Sequence, residues 1–500
     1  MKELFKRILT ARVYDVARHT PLEPAPKCSE RVGNDVMLKR EDLQPVFSFK
    51  LRGAYNRLAH LRPEEKGRPV ICASAGNHGQ GVAWSARELG LEATVVMPRT
   101  TPKIKVMAVE SFGARVVLSG DNYSEASEYC LQLQEESGAT YIHPFNDPWV
   151  IAGQGTIGKE ILEDCPQVDM IFVPVGGGGL IAGVAAFIKE LAPDVQVIGV
   201  EPDDSDAMTR SVDAGEIVEV ANPGIFADGV AVKEVGDETF RLTRQLVDDF
   251  VTVSTDEICS AIKDIYEETR AIMEPAGALS MAGMNRYVQE KGIRGKKIVT
   301  INSGANMNFQ RLQFVAERAM TGSGRERLYA IRLEEKPGTL AAFCQTALAG
   351  QAITEFNYRY RGDNEAWIFV GITSVNGTRD EKFQAALADG GYVYHDMTRN
   401  ELAKLHIRHM VGGAGPIHRE VLYRFRFPER RGALADFLGT LGARWNISLF
   451  HYRFYGGDSG RVLIGMEVPE HDQAGLQGFL DRLGFSYEEE TGNEAYGLFL

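Results

Sequence analysis

At 500 residues, with 44% hydrophobic and 25% charged side chains and a formal charge of -13, the chain is too long for one ordinary core and too acidic to be drawn to a nucleic-acid backbone. Several folding units are expected, with no nucleic acid and no membrane as partners, since no apolar stretch approaches the ~20 residues of a membrane span. The opening Met1-Lys2-Glu3-Leu4-Phe5-Lys6-Arg7-Ile8 places charges where an export signal needs an apolar run, so a cytoplasmic location is expected. Cys28, Cys72, Cys130, Cys165, Cys259 and Cys344 form no C-x-x-C pair and no metal-like cluster with histidine, and they read as buried free thiols.

From about residue 35 to 320, short β-rich runs alternate with helical stretches, at Arg68 to Cys72, Ala93 to Met97, Arg115 to Leu118, Met170 to Val175, Gln196 to Val200 and Lys297 to Ile301. Such alternation predicts an α/β fold with parallel sheets covered by helices, whose ligand groups gather at the carboxyl ends of strands. The first candidate is Lys50, in Ser48-Phe49-Lys50-Leu51-Arg52-Gly53-Ala54. A lone lysine is usually a solvated charge, but Phe49 can lie beside a ring, Gly53 permits close backbone approach, and a desolvated amine loses its proton more easily. Next, Ser74-Ala75-Gly76-Asn77-His78-Gly79-Gln80-Gly81 follows a strand and should open a helix, where its N–H groups can hold a carboxylate and the Asn77 amide can reach a ring oxygen. His78 reads as a capping or packing residue ahead of a general base.

Gly176-Gly177-Gly178-Gly179 follows the apolar Ile171-Phe172-Val173-Pro174-Val175 and precedes a helical Leu180 to Leu191. Backbone N–H groups of such a nest at a helix N-terminus bind a dianion without a charged side chain. A dinucleotide site is the rival reading, because Gly177, Gly179 and Ala182 satisfy G-x-G-x-x-A and Glu201 follows Gly179 by 22 residues. Last comes Ser303, after Ile298-Val299-Thr300-Ile301-Asn302, a neutral hydroxyl at a strand end.

Beyond Thr321-Gly322-Ser323-Gly324-Arg325-Glu326-Arg327, which reads as a linker, lies an internal repeat. An offset of 94 residues pairs Gly338 with Gly432, Leu340 with Leu434, Phe343 with Phe437, Ile353 with Ile447, Phe356 with Phe450, Tyr358 with Tyr452 and Arg359 with Arg453. In the first copy, strands are expected at Leu328 to Leu333, Ala352 to Tyr360, Trp367 to Thr373 and Tyr392 to Asp396, with helices at Thr339 to Ala349 and Asp380 to Asp389. That is a βαββαβ, ferredoxin-like order. Gly412-Gly413-Ala414-Gly415-Pro416 joins the copies.

An amine, an anion nest, an amide and a neutral hydroxyl are what a pyridoxal phosphate enzyme needs for its Schiff base, phosphate, ring oxygen and ring nitrogen. The motifs S-F-K-L-R-G-A, A-S-A-G-N-H-G-Q-G, V-G-G-G-G-L and N-S-G-A-N, in this order, resemble the fold-type-II pyridoxal phosphate family, and within it the threonine-deaminating lyases with paired ACT-like regulatory subdomains. The resemblance covers nearly the whole chain. It implies a two-subdomain catalytic core over residues 1–320, a linker at 321–327, and ACT-like subdomains at 328–410 and 417–500. It also implies that Lys50 forms the Schiff base, Gly176, Gly177, Gly178, Gly179 and Leu180 hold the phosphate, Asn77 bonds the ring oxygen and Ser303 the ring nitrogen. Ser74, Ala75, Gly76, Asn77 and His78 would hold the substrate.

The implied reaction is loss of water and ammonia from L-threonine to give 2-oxobutanoate, the first step of isoleucine synthesis, with L-serine a weaker substrate. Isoleucine would inhibit and valine activate a homotetramer, through a region that includes Phe356, Tyr358, Arg359, Phe450, Tyr452 and Arg453. Ala75 stands where racemases of this fold carry a serine, which argues against racemisation. Ala207 stands where cation-activated relatives carry a carboxylate, so no metal is expected. A catabolic serine/threonine dehydratase would lack the duplicated tail, and an amino-acid sensor without turnover would not need Lys50.

Overall fold

The run Met170-Ile171-Phe172-Val173-Pro174 carries no polar residue, and in Ile298-Val299-Thr300-Ile301-Asn302 the polar Thr300 and Asn302 are as buried as their apolar neighbours. Strands of this kind stand inside sheets covered on both faces. The computed structural model describes residues 2–334, 343, 346–348, 351, 353–359, 365–373, 378–409, 420–428, 445–453 and 459–499. The chain divides into two units, one spanning Met1–Ala316 and one from Glu317 onward.

In the first unit the strands are β1 (Leu22–Pro24), β2 (Asp35–Arg40), β3 (Val70–Ala73), β4 (Ala93–Met97), β5 (Arg115–Leu118), β6 (Thr140–Tyr141), β7 (Met170–Pro174), β8 (Gln196–Pro202), β9 (Asp249–Val253) and β10 (Lys297–Asn302). They form a six-stranded sheet ordered β1-β2-β10-β7-β8-β9 and a four-stranded sheet ordered β5-β4-β3-β6. All pairs are parallel except β1 with β2. One core packs Ile157 and Ile161 of helix Pro148–Asp164 and Ile181, Val184 and Ile188 of helix Gly179–Leu191 against Ile171, Val173, Val299 and Ile301 of the larger sheet. Polar segments leave the sheets at strand ends, so the loops after β3, β7 and β10 carry the candidate groups.

A buried ionic knot underlies helix Lys50–Ala59. Arg52, fully buried, forks onto Glu41 at 2.7 and 2.8 Å and onto Glu160 at 2.6 and 2.9 Å, while Lys39 Nζ reaches Glu160 at 2.7 Å and donates to the Thr20 carbonyl at 2.6 Å. Thr20 Oγ1 donates to Glu41 at 2.6 Å and Tyr14 OH to Glu160 at 2.9 Å. Two cations face two fully buried anions, with Asp164 a further 3.6 Å from Lys39, and hydroxyl and amide donors meet other lone pairs, which is the condition for a buried charge cluster to stand.

In the second unit the strands are β11 (Glu326–Glu334), β12 (Ile353–Arg359), β13 (Glu365–Thr373), β14 (Tyr394–Asp396), β15 (Glu420–Pro428), β16 (Asn446–Arg453), β17 (Ser459–Glu467) and β18 (Ser486–Glu489). Among the described residues they form two antiparallel sheets of identical order, β12-β13-β11-β14 and β16-β17-β15-β18. The duplication extends to irregularities: the register slips between Ile353 and Glu355 in one copy and between Ile447 and Leu449 in the other. Leu328, Phe369, Met397, Leu422 and Leu463 share one cluster across the copies. The segment read as a linker is shorter than expected. Helix Leu312–Gly322 runs into it, Gly324 turns at φ 67°, and β11 begins at Glu326. Most of the expected helix at 339–349 and the connector at 412–416 lie outside the described residues. Cys28, Cys72, Cys130, Cys165 and Cys259 are buried free thiols, and Cys344 lies outside the description. No helix among the described residues is long and apolar enough to cross a membrane.

Candidate active site

Lys50 is the first residue of its helix. The chain before it is tied to the end of β10: the Phe49 N–H donates to the Ser303 carbonyl at 3.1 Å, and the Ala305 N–H donates to the Phe47 carbonyl at 2.9 Å. Lys50 Nζ donates to the Pro144 carbonyl at 2.9 Å and lies 5.4 Å from the centre of the Phe49 ring. Enclosure by the surrounding protein pushes the ammonium down to about 8, against the pull of the Glu274 carboxylate. An amine so placed gives up its proton more readily than an ordinary lysine, which suits a nucleophile or base.

Lys50 opens onto a cleft whose walls include Phe49, Asn77, Phe145, Gly176, Gly177, Gly178, Gly179, Leu180, Glu274 and Ser303. Lys50, Asn77, Gly176 to Leu180 and Ser303 thus converge on one space from four stretches of chain. Gly178 is the left-handed N-cap (φ 91°) of helix Gly179–Leu191, and no side chain caps that helix. Its leading N–H groups are the kind of donor an anion takes. A Cβ on Gly177 would lie 2.3 Å from the Phe145 ring, and one on Gly176 would lie 2.8 Å from Val230 Cα, so only bare backbone fits. At Gly178 a Cβ would meet Met208 Cε at 2.5 Å and Thr239 Cβ at 2.9 Å. Gly178→Ala is therefore expected to destabilise the first unit by about 2–3 kcal/mol, combining backbone strain with overpacking. Urea unfolding checks this, and a loss below about 0.5 kcal/mol would mean that the loop shifts freely.

Ser303 is buried, and its hydroxyl donates to the Ala276 carbonyl at 3.2 Å. Of the loop Ser74 to His78, Asn77 lines the cleft. Ser74 Oγ accepts from Gly76 N–H at 3.1 Å and Gly79 N–H at 2.9 Å, which shapes the start of helix Asn77–Glu88. His78 lies behind the loop, with Nε2 2.9 Å from the Ile142 carbonyl, and burial and Lys50 push its pKa down to about 3. It stays neutral, consistent with packing ahead of base chemistry.

The dinucleotide reading fails on Glu201. Its carboxylate is buried and folds onto the next helix, accepting from Met208 N–H at 3.0 Å, Thr209 N–H at 2.7 Å and Thr209 Oγ1 at 2.6 Å. Turned inward and without exposure, it is not placed to meet a ribose. The cleft also holds residues that sequence reasoning missed, among them Phe145, Gly229, Val230, Glu274 and Ala276. Glu274 precedes Pro275, a helix-start signal, but nothing in that pattern announces a buried carboxyl group. Phe356, Tyr358 and Arg359 lie on β12, and Phe450, Tyr452 and Arg453 on β16, each the edge strand of its sheet among the described residues. Their side chains lie outside the description.

The family described as pyridoxal-phosphate dependent enzyme matches residues 13–304, and the C-terminal regulatory domain of threonine dehydratase matches residues 317–407 and again 411–500. Fold and cleft together define a pyridoxal phosphate-dependent enzyme with a duplicated regulatory tail. The chain is 50% identical over 503 residues to L-threonine dehydratase biosynthetic IlvA of Burkholderia multivorans, covering 100% of this chain and 99% of that protein. It is 48% identical over 501 residues to the protein of the same name from Escherichia coli, covering 100% and 97%. The processed form of threonine deaminase isoform 2 from Solanum lycopersicum superposes with a TM-score of 0.62 at 50% identity, over 64% of this chain and 94% of that one. The chain belongs to the biosynthetic threonine dehydratase family. Pyridoxal phosphate is its cofactor, and the cleft fits it: an amine, an uncapped helix N-terminus walled by bare backbone, and a neutral hydroxyl border one space.

Proposed function

We propose that the protein converts L-threonine to 2-oxobutanoate and ammonia as the first step of isoleucine synthesis, in the cytoplasm and as a homotetramer, under inhibition by isoleucine and activation by valine. The observation that carries the reading is the convergence of Lys50, the Gly176–Gly179 loop, Asn77 and Ser303 on one cleft. When bound, pyridoxal phosphate supplies a carbonyl that condenses with amines and a conjugated ring that accepts electrons from the substrate's α-carbon.

Lys50 would hold the cofactor, and its Nζ, of lowered proton affinity, would take the substrate's α-proton. Gly176 to Leu180 meet the phosphate with backbone N–H groups. Asn77 donates toward the ring oxygen. Ser303 would hold the ring nitrogen with a hydroxyl that carries no charge, an uncharged partner that suits elimination over racemisation. The loop from Ser74 through Ala75, Gly76 and Asn77 to His78 seats the substrate carboxylate, with Ser74 bracing its backbone. L-Serine, one methyl smaller, is a weaker substrate by about 1–3 kcal/mol.

The duplicated unit, over residues 328–410 and 417–500, takes the amino-acid effectors, with Phe356, Tyr358, Arg359, Phe450, Tyr452 and Arg453 as the contacting residues. An effector coupling of about 1–3 kcal/mol corresponds to a change of about 5- to 150-fold in apparent threonine affinity. The test is threonine turnover with and without isoleucine, in the full chain and in a chain ended at Ala319. The full chain is expected to be inhibited and the shortened chain to be active and indifferent to isoleucine. A full chain without threonine turnover overturns the reaction, and a shortened chain inhibited at the same isoleucine concentration overturns the regulatory assignment.

A further inference from the structure

The Asn77 amide is held from both ends. Its Oδ1 accepts from Asn306 Nδ2 at 2.8 Å, and its Nδ2 donates to Glu274 Oε1 at 2.5 Å. The other hydrogen of Asn306 Nδ2 goes to the Val46 carbonyl at 2.9 Å, so Asn306 cannot turn over without losing both bonds. The network therefore assigns which end of Asn77 is nitrogen. One N–H of Asn77 is left over, in a residue that lines the cleft beside Glu274 and Lys50.

Glu274 is 3% exposed and N-caps helix Pro275–Glu290, with its own N–H on the Gly304 carbonyl at 3.2 Å. The charged groups around its carboxyl are Lys50, Asp228, Lys105 and Arg311. Asp228 is engaged by Lys105 Nζ at 2.5 Å and Arg311 Nη1 at 3.3 Å. Burial, then Asp228, push the Glu274 carboxyl up to about 7, against Lys105, the Asn77 bond and Arg311.

We propose that Glu274 is a positioning residue: with Asn306 it clamps Asn77 so that one N–H is presented to the cofactor's ring oxygen, and its charge is felt by the bound cofactor. The inference rests on the proposed seat of the cofactor beside Lys50. Ionised Glu274 stabilises positive charge at that seat, and neutral Glu274 relinquishes it, so the cofactor's visible absorption should carry a step near neutral pH that belongs to Glu274. Gln at this position keeps an acceptor for Asn77 and removes the charge, whereas Leu removes both.

The holoenzymes of the wild type, Glu274→Gln and Glu274→Leu separate these roles by cofactor dissociation constant and by titration of the visible band between pH 5.5 and 9. The wild type is expected to show the step and both variants to lose it. The dissociation constant should rise about tenfold in Glu274→Leu and less than threefold in Glu274→Gln, the weight of a clamp bond lost or kept. Wild-type affinity in Glu274→Leu, or a wild-type step in Glu274→Gln, overturns the proposal. If Glu274→Leu does not fold, Asn306→Leu removes the other arm of the clamp, and unchanged affinity there overturns it equally. Failure of the underlying seat looks different: the wild type itself would bind no cofactor that borohydride fixes to Lys50.

Discussion

Replacing Lys50 by alanine is expected to lower threonine turnover by about 10⁴-fold or more and to leave the fold standing, because one substitution removes both the group that holds the cofactor and the base that takes the α-proton. The side chain lost is largely enclosed, but it makes one hydrogen bond, to the Pro144 carbonyl, and forms no ion pair of its own among the described residues, so the structural cost is small. Circular dichroism and thermal unfolding should stay close to the parent's, while borohydride no longer fixes the cofactor to the chain. A small primary amine added in solution should restore part of the activity by entering the space that the butylamine stem vacates. Turnover within tenfold of the parent would remove Lys50 from the chemistry.

Two residues further along the same helix, Arg52→Leu is expected to cost about 3–5 kcal/mol of stability, with little direct effect on the reacting groups. The damage comes from what remains. Glu41 and Glu160 would keep their burial and lose the guanidinium that forks onto both, leaving Lys39 as the one cation bonded to Glu160. The apparent melting temperature of the first unit should fall by about 5–10 °C, and substitution of Glu41 and Glu160 by glutamine in the same chain should recover part of the loss. A melting temperature unchanged within a degree would mean that water reaches the two carboxylates.

How much of this could be read from the sequence depended on whether the information was local. Gly176 to Gly179 and Ser303 each follow an apolar run, so the strand-end rule located them, while Lys50 was read from Phe49 and Gly53 beside it; the structure places all three around one cleft. Phe145, Gly229 and Glu274 enter that cleft from loops and a helix cap with no periodic signature, and only the tertiary fold brings them there. Glu201 was misleading because spacing along the chain carries no direction: at the right distance for a ribose contact, it bends onto Met208 and Thr209 instead. Gly322, Ser323 and Gly324 looked like a linker because small residues also make tight turns, and here one left-handed glycine suffices between helix and strand. The repeat was the most legible feature of all, since a constant offset survives whatever the chain does between the matched positions.

The place of β10 has a consequence for how the enzyme comes into being. This strand is the last of the first unit in the chain and lies in the middle of the larger sheet, between β2 and β7, while its end holds Phe49 through the Ser303 carbonyl. Until it is made, β2 and β7 have no common neighbour, and the segment that precedes Lys50 has nothing to close against. A ribosome must therefore finish almost the whole first unit before the nascent chain can retain its vitamin, and every polypeptide released short of β10 is barren and exposes two unpaired inner strand edges to aggregation or proteolysis.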